Sequence, residues 1–153
     1  MPKRRATRSC PIPFVDALPK RFTDHITGTK DVKADGHCGF RVVADQLIPG
    51  GEDSFHRVRA DMYHSLLTHP EWYVHAFVEV GSTDEVLLAL NSGDIEKAGP
   101  EHWFRLPEMP HIVATVYNVA VVALSPRVSV TYLPLRTAPP PNGHFYNLHG
   151  ACE

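Results

Sequence analysis

The chain of 153 residues is poor in cysteine, with three in all, at positions 10, 38 and 152, and none in a Cys-x-x-Cys spacing. An odd count without paired spacing excludes a disulfide-stapled scaffold and predicts a reducing, intracellular setting, cytoplasmic or nuclear. No apolar run approaches the roughly 18 residues that cross a bilayer, so no membrane partner is expected. The N-terminus also lacks the apolar block of a secretory signal. Ten histidines are present, yet none stands in an HxxxH or HExxH arrangement. His64 and His69 are five apart, which turns them off a common helical face. No metal and no cofactor is therefore expected. Internal repeats are missing too.

What is present is the composition of an ordinary globule: 43% hydrophobic and 21% charged residues, enough for one core. The net charge of −2 is unevenly spread. Residues 1–33 hold eight Lys/Arg against three Asp, and the remainder holds seven against fourteen acidic residues. The proline-broken, basic stretch 1–30 reads as an extended N-terminal arm, and 31–153 as the domain proper. An acidic body disfavours nucleic acid and favours a basic protein partner. A monomer is expected.

Periodicity supplies the elements. From Cys38, the positions Phe40, Val43, Ala44 and Leu47 form one apolar helical stripe, ended by "PGG" at 49–51. A second helix opens at Asp53 or Ser54, either of which can cap it, with Phe55, Val58, Met62 and Leu66 inward and Pro70 beyond its end. "EWYVHAFVEV" (71–80) predicts a helix, although its aromatic and β-branched content also suits a strand. "STDEVLLALNSG" predicts a short helix with a Ser82/Glu85 capping box. A further helix carries Ile112, Val113, Val116 and Tyr117, with Pro110 in its first turn. "VAVVAL" (119–124) predicts a buried central strand, "VSVTYL" an exposed one, and "HFYNLH" the last strand, after a "PPPNG" turn. Helices first and strands late give an α+β class, with a small central β-sheet packed against helices.

The stretch "DGHCGF" raises the question of chemistry. Cys38 falls at a helix start, where unpaired amides and the positive end of the dipole favour the thiolate and can hold an oxyanion. Gly36 permits a sharp turn, and Gly39 removes a side chain where a substrate backbone would pass. The candidate base is His144, at the head of the last strand after Gly143. On spacing alone, an ordinary helix start with a buried cysteine explains the same residues.

"DGHCGFRVVADQL" resembles the Asp-Gly-Asn-Cys-x-x-Arg/Phe signature of the ovarian tumour (OTU) family of cysteine proteases, mostly deubiquitinases. The likeness runs on in order through "RVRADM", the block "HWFRLPEMPHIVATVYNVAVVAL" with Trp103, "VTYLPL" and a closing "NGHF", over residues 31–149. The resemblance implies a papain-type cysteine protease fold, with Cys38 as nucleophile, His144 as general base and Asp35 as the acidic member of the site. It further implies an oxyanion loop at Gly36, His37 and Cys38, and a substrate cleft near Gly39, Trp103 and Gly143. The implied partner is ubiquitin, polyubiquitin or a ubiquitin-like modifier, cleaved after its terminal glycine. The acidic Glu52, Asp53, Glu79, Asp84 and Glu85 suit a basic substrate surface.

Two departures stand out. His37 replaces the signature's Asn, either as a tolerated substitution or as a second titrating group beside the thiol. Where many OTU enzymes have Asp or Asn two residues after the histidine, this chain has Tyr146. Asn147, one further on, needs a bulge to face the same way. The third member is thus Asp35, Asn147 or Tyr146, in that order. The alternative to an enzyme is a catalytically weak ubiquitin-binding module.

Overall fold

The structure is a computed structural model, and it describes residues 15–77, 83–138 and 145–148. Five α-helices appear among these residues: α1 (Lys20–Thr23), α2 (Cys38–Leu47), α3 (Phe55–Thr68), α4 (Thr83–Leu90) and α5 (Glu108–Tyr117). Three strands follow: β1 (Ala120–Ala123), β2 (Val130–Tyr132) and β3 (Phe145–Leu148). The sheet order is β2-β1-β3. β2 pairs antiparallel to β1, with Val121 opposite Tyr132, and β3 pairs parallel to it, with Ala120 opposite Phe145. The α+β class with a small sheet against helices is what the structure has.

The predicted stripes are the buried ones. Phe40, Val43 and Ala44 of α2 meet Phe55, Val58, Met62 and Leu66 of α3 in one core, joined by Met109, Ile112 and Val113 of α5 and Val121 of β1. Each such side chain contributes about 1.5–3 kcal/mol on burial, which is why the helical period reads so directly into packing. α2 packs on α3 and on β3. β1 is central, as its continuous apolar run predicts. Residues 15–23, inside the stretch read as an extended arm, form a 3₁₀ turn and α1, and Leu18 is buried.

Some local expectations need correction. Residues 70–72 form a 3₁₀ turn and 73–77 continue as turns, so "EWYVHAF" is neither α-helix nor strand. Tyr73 and Phe77 reach the core from this turn, and their burial explains its apolar sequence without any period. A 3₁₀ turn over Gly51–Ser54 leads into α3, and Ser54 does not cap it; its hydroxyl donates to the Pro49 carbonyl instead. Ser82, the proposed cap of α4, lies outside the described residues, as do Glu79 and the "PPPNG" turn.

At the start of α5, Glu108 is wholly buried, and among the described residues neither of its carboxylate oxygens has a hydrogen-bond partner. One turn on, the buried Nδ1 of His111 is also unbonded, while its ring meets Tyr132 edge-on at 4.9 Å. Burial lowers the His111 pKa, the Glu108 carboxylate partly opposing it.

Candidate active site

Cys38 is the first residue of α2 and is nearly buried, at 8% exposure. It is disulfide-bonded, where the reducing setting expected from the cysteine count favours a free thiol. The other two cysteines of the chain lie outside the described residues.

The loop before it is built on Asp35, buried at 4% exposure. Its carboxylate accepts from Arg41 Nη2 at 2.7 Å and Nε at 3.1 Å, and its Oδ1 accepts from the His37 amide at 3.0 Å. Arg41, one turn into α2, is itself nearly buried, donates to Asp53 at 3.2 Å and lies 4.1 Å from the centre of the Phe55 ring. Burial pushes the Asp35 carboxyl up, but the Arg41 guanidinium and the His37 amide outweigh it and hold it below its ordinary range. Asp35 thus ties the loop to the helix it precedes. The expectation that the His37 amide serves an oxyanion meets a competitor, since that N–H is spent on Asp35.

A second clasp comes from residues 95–104, of which the sequence reading gives a role only to the part from His102 on, with Trp103 in a substrate cleft. The Ala98 amide donates to the Asp35 carbonyl at 2.9 Å, and Trp103 Nε1 donates to the Ala98 carbonyl at 3.2 Å. Trp103, half-buried, thereby braces the strap that holds the loop. Gly36 sits under this strap with φ +83°, and a Cβ there would lie 2.0 Å from the Ala98 carbonyl oxygen. Gly39 is buried, and a Cβ on it would lie 2.3 Å from Phe104 Cβ, so close packing gives that glycine its reason.

His37, wholly buried, directs its ring away from solvent. Nε2 is 2.9 Å from the Ile95 carbonyl, and Nδ1 accepts from Arg59 Nε at 3.1 Å. The ring also packs 4.5 Å from Phe55. Burial lowers its pKa, and Arg59 and His56 add to the effect, against the Ile95 carbonyl and Asp35. With both ring nitrogens engaged, His37 has none left to serve a neighbouring thiol. Arg59 escaped the sequence argument, although its place between Phe55 and Met62 on the inner stripe of α3 is a usable signal.

His144 and Gly143 lie outside the described residues. Tyr146 and Asn147 belong to β3, opposite Val121 and Val122, with only their backbone described. Among the carboxylates expected to meet a basic substrate, Asp53 pairs with Arg41 and Glu52 accepts from the Lys33 amide. Among the described residues no group of three or more His, Cys, Asp or Glu is placed to hold a metal, and no helix is long and apolar enough to cross a membrane.

No protein-family model matches the sequence, and no curated protein is similar enough to count as a match. Among solved structures the chain is similar to the viral OTU domain protease from Dera Ghazi Khan virus, at 14% identity and a TM-score of 0.55. The alignment covers 80% of this chain and 74% of the viral one. At so low an identity the likeness is one of fold, and the chain has an OTU-like fold.

Proposed function

We propose that the chain is a cysteine-type isopeptidase that hydrolyses ubiquitin or ubiquitin-like conjugates after their C-terminal glycine. The observation that carries this reading is the placement of Cys38 at the first position of α2, behind a loop locked by Asp35–Arg41 and by the Ala98 strap. The fold likeness to a viral OTU domain protease supports it independently.

Cys38 is the nucleophile once its disulfide is reduced. His144 is the base. It directly precedes Phe145, the first residue of β3, and β3 packs on α2, the helix that Cys38 opens. His144 takes the thiol proton, and the thiolate attacks the carbonyl carbon of the terminal glycine. The resulting oxyanion is held by the amides of Gly36 and Cys38, the His37 amide being committed to Asp35. The imidazolium then protonates the leaving lysine amine, and the C–N bond breaks. Water, deprotonated by the same imidazole, attacks the thioester and releases the free carboxylate and the thiol.

Asp35 acts in this scheme by fixing the loop, since its oxygens are on Arg41 and the His37 amide. Orientation of the imidazole then falls to Asn147 or Tyr146 of β3. A panel of di-ubiquitins incubated with the reduced protein tests the reading. Cleavage by the wild type and none by Cys38→Ala is expected. No cleavage of any linkage, with ubiquitin still bound, would make the chain a binding module instead.

A further inference from the structure

We infer that Arg59 is a positioning residue for the nucleophile loop, acting through the His37 imidazole to hold the residue before Cys38 in one orientation. The inference rests on the reading of Cys38 as nucleophile.

Arg59 lies on α3 with 3% exposure, and among the described residues its guanidinium pairs with no carboxylate. Each of its three nitrogens donates once: Nε to His37 Nδ1 at 3.1 Å, Nη1 to the Ala89 carbonyl at 3.0 Å, and Nη2 to the His102 carbonyl at 2.6 Å. Its carbon lies 3.7 Å from the centre of the Phe40 ring. Burial brings its pKa down to about 10, with Asp35 opposing, so the cation is held against its own solvation. A buried ion is weak support for stability, and an apolar side chain of similar volume would fill this place between Phe55 and Met62 at less cost. What the arginine adds is connection. It joins the nucleophile loop, the end of α4 and the segment after the Ala98 strap at a single group.

The connection determines the protonation of His37. Arginine Nε–H can only donate, so Nδ1 of His37 must present its lone pair. The ring proton then sits on Nε2 and is given to the Ile95 carbonyl. Both nitrogens are occupied by groups from other segments, which leaves the ring one orientation, and the following residue is Cys38. Asn at position 37 offers the same pair in one side chain, an oxygen to accept from Arg59 and an amide to donate to Ile95. A leucine offers neither.

The test uses the full chain after reduction, with four variants: Arg59→Met, Arg59→Lys, His37→Asn and His37→Leu. Three quantities are measured: the Cys38 alkylation rate with iodoacetamide, located by peptide mass spectrometry; kcat and KM on a ubiquitin–fluorophore conjugate; and the ring ¹⁵N shifts of His37 in the wild type. The expected wild-type tautomer carries its proton on Nε2. Arg59→Met and His37→Leu should lose on the order of 10- to 100-fold in kcat with KM little changed, as for a displaced catalytic group. Asn should recover most of what Leu loses at position 37. Lys, whose donors all sit on one nitrogen and cannot span three acceptors spread around a planar fork, should not recover Arg59. A proton on Nδ1, or folded Met and Leu variants with wild-type alkylation and kcat, would overturn the inference. If Arg59→Met does not fold, the tautomer and the Asn/Leu contrast still decide. If the wild type never cleaves ubiquitin, the hydrolase reading fails, and the tautomer and alkylation contrasts still judge the strut.

Discussion

At Gly36 the backbone turns with φ +83°, and the Ala98 carbonyl occupies the space a methyl would need. Gly36→Ala combines left-handed strain with that clash, and the strain alone costs about 1–3 kcal/mol. The expected result is a lower denaturant midpoint and, under the hydrolase reading, a loss of rate larger than the stability loss explains. A variant with wild-type midpoint and rate would remove the loop from the argument. Single residues of this kind were unevenly legible. Cys38, Gly36 and Asp35 lie within four positions of one another, so a short motif exposes them. The state of His37 depends on Arg59 and the Ile95 carbonyl, 22 and 58 residues away, and no local pattern carries such a contact. That is why the sequence leaves a titrating neighbour open beside a tolerated substitution, whereas in the fold both ring nitrogens are in use.

Among the elements, those with a clear period were legible and those filled from one side by large side chains were not. α2, α3 and α5 fall where their stripes predict, because burying one face of a helix imposes the spacing. The segment 70–77 is as rich in apolar residues but has no period, since Tyr73 and Phe77 enter the core from a turn. α5 holds a further consequence. Among the described residues the two oxygens of the buried Glu108 have no hydrogen-bond partner, and leaving a buried polar group unsatisfied costs about 1–3 kcal/mol. Glu108→Met keeps the volume and removes that cost. Thermal denaturation should show Tm rising by about 2–4 °C per kcal/mol recovered in a chain of this size. A fall in Tm would mean that the carboxylate has a partner worth keeping.

For the whole molecule, two dependences on conditions follow from the buried groups. His37 and His111 have pKa values below the ordinary histidine value, so below about pH 6.5 the unfolded chain takes up protons that the folded chain refuses. Stability therefore falls as pH drops through this window. Asp35, held low, adds a second loss below about pH 4, when the unfolded carboxyl protonates before the folded one. Melting temperatures across pH 4–8 should decline towards acid, and His37→Asn should flatten the upper part of that decline. A curve level from pH 8 to 5 would contradict the burial of these imidazoles. The second dependence is on redox state: with Cys38 disulfide-bonded, cleavage activity should require a reductant, and full activity in its absence, lost in Cys38→Ala, would show that the sulfur is free in solution. The arrangement of helices and a small sheet was legible at this scale because element types follow composition. The strap over the loop was not, since it is coil and leaves no period.

The central claim is that folding prepares the Cys38 sulfur for attack on the carboxyl end of ubiquitin, and it is tested most directly by ubiquitin carrying an electrophile at that end. The account predicts one covalent adduct on the reduced protein, mapped by peptide mass spectrometry to Cys38 and lost in Cys38→Ala. A folded, reduced protein that forms no adduct, or forms it at Cys10 or Cys152, would contradict it.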